Sequence, residues 1–188
     1  MKTILALGNP GDRYRDTRHN VGWWLADRLR AAWSLPRWRE SGPVAESRGR
    51  AAGEPVRLAR PLTYVNRSGR AVEALARGGD APRPEEDLLV LVDDVDLPPG
   101  ELRLKARGSS GGHNGLQSVE EALGTRDYAR LRLGVGRPAD DRVELAEWVL
   151  APPAAAEEEA ILGVFDRAVE AVECWIAEGA GAAMNRFN

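Results

Sequence analysis

The chain has 188 residues, of which 43% are hydrophobic and 29% charged. That composition suits one globular domain over residues 1–188 and excludes a low-complexity tail or a repeat array. No run approaches the roughly 18 apolar residues of a membrane helix, and no signal-cleavage pattern follows Met1-Lys2, so a cytosolic protein is expected. The only cysteine, Cys174, excludes an internal disulfide and a multi-thiolate metal site. The formal charge of −3 is unevenly spread: residues 1–132 carry 22 basic against 18 acidic side chains, and residues 133–188 carry 4 against 11. A basic face on the first two-thirds can attract phosphates despite the total, because distant charges are screened beyond about 10 Å. Most of the arginines are expected to be ordinary solvated surface. The only lysines are Lys2 and Lys105.

In chain order, Thr3 to Leu7 reads as a short buried strand ended by the turn Gly8-Asn9-Pro10-Gly11. Val21, Leu25, Leu29 and Ala32 then line one face of a helix from about Asn20 to Ser34, with Asn20 as its N-cap and Pro36 beyond its end. Val44 to Arg50 and Pro55 to Ala59 read as strands around Ala52-Gly53, and Ser68 as the cap of a helix reaching Arg77. Asp80 to Asp87, with two prolines, reads as a surface loop. Leu88 to Val92 is continuously apolar, as a central strand covered on both faces should be, and ends on Asp93-Asp94. Glu101 to Lys105 and Tyr128 to Val135 read as further strands, separated by a glycine-rich loop and a helix from Asn114 to Leu123. Beyond Pro152-Pro153, Leu162, Phe165, Val169, Val172 and Ile176 recur at helical spacing and predict a core-packing amphipathic helix. The elements predict a single α/β domain with a twisted mixed β-sheet flanked by α-helices.

Both histidines precede an asparagine: His19-Asn20 before the first helix and His113-Asn114 before the helix that starts at 114. Histidine is the natural base near neutral pH, and asparagine offers a donor and an acceptor without charge. Asn9 and Asp93 end the two most strand-like runs, where open α/β sheets place their ligand crevice. A carboxylate such as Asp93 can accept from one imidazole nitrogen and leave the other free to take a proton from water, although Asp94 and Asp96 are sequence-equivalent choices. Other readings are weaker. Gly108-Ser109-Ser110-Gly111-Gly112 matches a nucleophile elbow at Ser110, but the elbow requires its histidine well downstream, and none follows His113. Zinc on two histidines and an aspartate lacks the usual spacing. Cys174 sits in the amphipathic segment and reads as core, and Gly8 with Gly11 makes only half a dinucleotide fingerprint.

Six collinear motifs, at matching spacing, resemble bacterial peptidyl-tRNA hydrolase over nearly the whole chain. They are Gly8-Asn9-Pro10-Gly11 with Tyr14, Thr17-Arg18-His19-Asn20, Pro61 to Gly69, Asp93 to Gly100, Gly108 to Gly115, and Arg130 to Gly136. The resemblance implies a monomeric enzyme, free of metal and cofactor, that hydrolyses the ester between a peptide and tRNA. It implies His19 as general base, Asp93 as its support and Asn9 as a catalytic neighbour that separates blocked from free aminoacyl groups. It further implies Tyr14, Tyr64, Asn66, His113 and Asn114 around the substrate, with the role of His113 open, and Lys105 and Arg132 as a clamp for the 5′ phosphate of tRNA. Arg107 and Arg130 are neighbours able to share that work. Val65 and Val92 depart from the residues usual there, and the acidic last third is expected to pack and to screen. The rival function is a non-catalytic RNA-binding protein on the same fold.

Overall fold

The computed structural model describes residues 1–77 and 81–188. In chain order the elements are β1 (Lys2–Ala6), α1 (Val21–Ala32), β2 (Arg39–Ser41), β3 (Val44–Ala51), β4 (Glu54–Pro61), α2 (Gly69–Arg77), α3 (Pro84–Asp87) and β5 (Leu88–Asp94). They continue with β6 (Leu102–Lys105), α4 (Asn114–Leu123), β7 (Ala129–Gly134), α5 (Leu145–Val149), α6 (Ala155–Gly163), α7 (Phe165–Glu178) and α8 (Ala180–Phe187).

One seven-stranded sheet runs β2-β3-β4-β1-β5-β7-β6. Its four middle strands, β4, β1, β5 and β7, are mutually parallel, and the outer pairings are antiparallel. The hydrophobic pattern accounts for the order. Every residue of β5 is buried, as a strand with helices on both faces requires, whereas β6 alternates buried Leu102 and Leu104 with exposed Arg103 and Lys105, as an edge strand does. The side chain of Asn188 accepts from Leu104 N and donates to Leu104 O, covering backbone groups of β6. Between β3 and β4 both turn residues, Ala52 (φ 48°) and Gly53 (φ 81°), adopt the positive φ that a two-residue hairpin turn demands.

Two cores fill the two faces. On one, α1 and α6–α8 pack against the sheet through Leu25, Leu29, Phe165, Val172 and Trp175. On the other, α2 and α4 pack through Val72, Leu75, Leu116 and Val119 on Leu5, Leu7, Val90 and Val92. At Gly22 a Cβ would lie 2.8 Å from Leu7 O and 2.9 Å from Leu91 O, so glycine lets α1 press directly onto β1 and β5. The acidic last third is therefore part of the core.

Several sequence expectations need correction. The amphipathic run from Leu162 to Ile176 is not one helix: it breaks after Gly163, a poor helix former, and the reorientation leaves Leu162 48% exposed while Phe165, Val172 and Ile176 are buried. Of the loop expected over 80–87, Asp80 lies outside the described residues, and Pro84–Asp87 is a helical turn begun by its proline. The first helix stops at Ala32, since Ser34 turns to φ 51°. Among the described residues no helix is long and apolar enough to cross a membrane.

Candidate active site

Because β1 and β5 are adjacent and parallel, the loop after β1 and the end of β5 meet at the carboxyl edge of the sheet, the place where such sheets gather ligands. Asp93, 3% exposed, stands there between the two histidines. His19 arrives on a short 3-10 turn (Arg18–Asn20) ahead of α1, and its Nδ1 lies 2.9 and 3.0 Å from the two Asp93 oxygens. His113 caps α4, and its Nε2 lies 2.9 Å from Asp93 Oδ1.

The hydrogen bonds assign the tautomers. His113 Nδ1 accepts from the backbone N–H groups of Gly115 and Leu116, so it carries no proton, and Nε2–H donates to Asp93. His19 uses Nδ1–H toward Asp93, which leaves its Nε2 lone pair for the cleft that His19 lines. Burial alone would push the Asp93 carboxyl up; the two imidazoles outweigh it and hold the group far below the usual carboxylate range. Burial likewise works against a charged His19, but the facing Asp93 carboxylate prevails and raises its pKa above the ordinary 6.5.

Asn9 is held rigidly beside this cluster. Its backbone N–H donates to Asn20 Oδ1, its carbonyl accepts from Asn20 Nδ2, and its own Oδ1 accepts from Val65 N. The expected N-cap role of Asn20 is thereby corrected: its side chain makes no cap bond to α1 and clamps the Asn9 loop instead. Asn9 Nδ2 has no hydrogen-bond partner among the described residues and remains a free donor. Asn66, on the turn before α2, and Asn114, first residue of α4, are exposed and line one depression together, and Asn114 also lines the cleft of His19. Tyr14 and Tyr64 stack edge to face at 6.1 Å.

The cleft, about 320 Å³, is walled by Asp93 to Asp96, Gly111 to Asn114, Arg132, Arg137 and an apolar side made by Leu145, Ala146 and Val149 of α5. Sequence reasoning missed that wall, because five residues of α5 are too few to show a period. It also gave no role to Arg18, which is buried and fastens the wall to the histidine turn. The Arg18 guanidinium stacks on Trp148 at 3.4 Å, donates to the carbonyls of Trp148, Ala151 and Pro152, and pairs with Glu157 at 2.7 Å. The lone tryptophan at 148, in an acidic stretch, was the available signal.

The cationic positions divide. β6 and β7 pair Arg103 with Arg132 and Lys105 with Arg130, which puts all four on one sheet face. Lys105 is exposed at the edge. Arg132 reaches the cleft with its Nε 3.0 Å from Asp94, so Asp93 and Asp94 have different partners. Arg130 is 0% exposed and donates to the carbonyls of Gly108 and Ser109, so it shapes the glycine loop and is unavailable to a phosphate. Ser110 lines a different depression, with Gln117 and Glu120, that includes neither histidine.

The chain matches the family model described as peptidyl-tRNA hydrolase over residues 3–188. It is 50% identical to the peptidyl-tRNA hydrolase of Symbiobacterium thermophilum, covering 100% of this chain and 98% of the relative. It is 43% identical to that of Gemmatimonas aurantiaca, with 98% of both chains covered. Among solved structures, the crystal structure of peptidyl-tRNA hydrolase from Acinetobacter baumannii is similar with a TM-score of 0.91 and 32% identity, covering 100% of this chain and 94% of that one. With the family model spanning nearly every residue, this chain belongs to the peptidyl-tRNA hydrolase family and is a hydrolase.

Proposed function

We propose that the protein hydrolyses the ester joining a peptide, or an N-blocked aminoacyl group, to the terminal ribose of tRNA, with His19 as general base. The observation that carries this reading is the hydrogen bond from His19 Nδ1 to buried Asp93, which orients the ring and leaves Nε2 as a basic nitrogen facing the cleft that His19 lines. Water attacks the ester carbonyl as Nε2 takes its proton. Asp93 stabilises the imidazolium that results, and the proton then passes to the departing ribose oxygen. The free amide of Asn9, with that of Asn114, supplies neutral donors to the oxyanion; removing one such donor typically costs about 2.7–4 kcal/mol of barrier.

No metal enters this mechanism. His19, Asp93 and His113 present three potential ligand atoms within 4.8 Å of one another. The His113 ring argues against their use: to offer Nε2 to a metal it would need a proton on Nδ1, which faces two backbone N–H donors. Tyr14, Tyr64, Asn66 and Asn114 surround the ester and the first peptide unit, while Lys105 and Arg132 take the 5′ phosphate. Phosphate contacts give affinity without reading sequence, as an enzyme accepting many tRNAs needs. We take the enzyme to act as a monomer in the cytoplasm.

The test is release of labelled N-acetyl-aminoacyl groups from tRNA, with unblocked aminoacyl-tRNA as control. Cleavage of the blocked ester that survives EDTA and Ser110→Ala but collapses in His19→Ala supports the reading. Binding of tRNA without cleavage would make the protein an RNA-binding module, and loss in EDTA would overturn the metal-free mechanism.

A further inference from the structure

Two tracks leave the cleft of His19 in different directions. Arg132 and Lys105 lie toward β7 and β6, on one side of β5. On the other side, Asn114 is shared between the cleft and a depression that also holds Asn66, and Asn66 is shared in turn with a groove of about 380 Å³ between α2 and α4. The groove contains Arg67, Arg70, Ser118 and Glu121. Its helices touch closely: Gly69 N donates to Ser118 Oγ, and a Cβ at Gly69 would meet Ser118 O at 2.4 Å, so the floor is firm.

The chemistry of this second track is unspent. Among the described residues the side chains of Asn66, Asn114, Arg67 and Arg70 make no hydrogen bond or ion pair, and all four are exposed. Glu73 is neutralised by Arg77 at 3.4 Å, and Glu121 accepts from Gln117, so the two free guanidiniums outweigh the one uncompensated carboxylate. From Asn114 to Ala122 is two turns of helix, about 12 Å, a length spanned by three to four residues of extended chain.

We propose that the groove between α2 and α4 is a subsite for the peptide of the substrate beyond its ester-linked residue, taking three to four extended residues and favouring acidic over basic side chains. The inference rests on the hydrolase reading above, which places the ester at His19 and the RNA on the Arg132 side. The opposite exit then falls to the peptide. Carboxamides beside the ester suit backbone N–H and C=O groups, and the arginines beyond them suit carboxylates.

The experiment compares kcat/KM for N-acetyl-tetrapeptidyl-tRNAs carrying aspartate or lysine at the second and third residues from the ester. A preference for aspartate of about three- to fivefold is expected for exposed pairs. Arg67→Gln/Arg70→Gln should bring that ratio to one, and Arg28→Gln, on α1 across the sheet from the groove, should leave it intact. No preference in the wild type would overturn the proposal. So would an equal fall for N-acetyl-aminoacyl-tRNA, whose single residue ends short of the groove, since the arginines would then serve the RNA. A second readout is independent of ester cleavage: the free acetylated tetrapeptide is titrated onto the wild-type protein and amide resonances are followed. Shifts at Gly69 and Ser118 support the groove even if no tRNA ester is cut; shifts confined to 108–113 reject it.

Discussion

His19 and His113 flank one carboxylate at matching distances, 2.9 Å each from Asp93 Oδ1, and their ring centroids are 5.0 Å apart. They differ at the far nitrogen. In His113 it is filled by two backbone N–H groups of α4; in His19 it has only the cleft before it. Residue type, burial and carboxylate partner therefore do not separate a base from a structural histidine. What separates them is whether the second nitrogen is already satisfied, and a helix N-terminus is an efficient way to satisfy it. On the proposed reading His113 is a positioning residue: it caps α4, which begins with Asn114, and its Nε2–H donates to the same Asp93 that His19 faces.

The largest break in this comparison is removal of the free nitrogen. His19→Ala should lower kcat for blocked aminoacyl-tRNA by about 10²- to 10⁴-fold, the range of a general base, with circular dichroism unchanged. Rates within a few fold of wild type would assign the base elsewhere. Asp93→Asn comes next, because a carboxamide carries no negative charge and sets an NH2 donor where Oδ2 faces His19 Nδ1–H. A loss of about a hundredfold or more is expected, and retention of activity would show that the carboxylate charge is dispensable.

His113→Asn and His113→Ala sharpen the comparison. Asparagine can still cap α4, so it should keep thermal stability while lowering the rate only about tenfold through the lost donor to Asp93. Alanine removes the cap as well and should cost roughly a further 1 kcal/mol in denaturant unfolding. A rate loss in both variants as large as in His19→Ala would abolish the distinction between the two rings. The smallest effect is in the pH profile. As the proposed base His19 would act only when neutral, and the facing Asp93 carboxylate raises its pKa above 6.5 despite burial, so kcat/KM should fall as pH drops through a value above 6.5 and level off on the alkaline side. In His113→Asn the Asp93 charge is less compensated, which favours protonated His19 and moves that limb further up. A downward movement would contradict the shared-carboxylate arrangement.

Much of the frame was legible beforehand. The unbroken apolar run before Asp93 required a central strand, and the resemblance singled out His19, which the structure brings to Asp93. Asp93 and Asp94 were a different matter, since adjacent carboxylates have no local feature to distinguish them. The pleat does it: successive residues of β5 point to opposite faces, so Asp93 meets the histidines and Asp94 meets Arg132. Arg130 and Arg132 show the reverse case. They share a face, but one lies deep under the glycine loop and the other reaches the cleft, a difference of depth that alternation does not encode.

The amino-acid sequence by itself determined the alternating elements, the two-sided burial of the middle strands and the supply of histidine, carboxamide and carboxylate side chains, because these follow from local periodicity and residue chemistry. The tertiary structure alone decided which nitrogen of which histidine is free, that Arg18 binds α5 to the turn carrying His19 across 130 residues of chain, and that Asn20 serves Asn9 instead of its own helix. Those outcomes depend on which buried polar groups find partners first, and such partners are distant in sequence and close only after the sheet has formed.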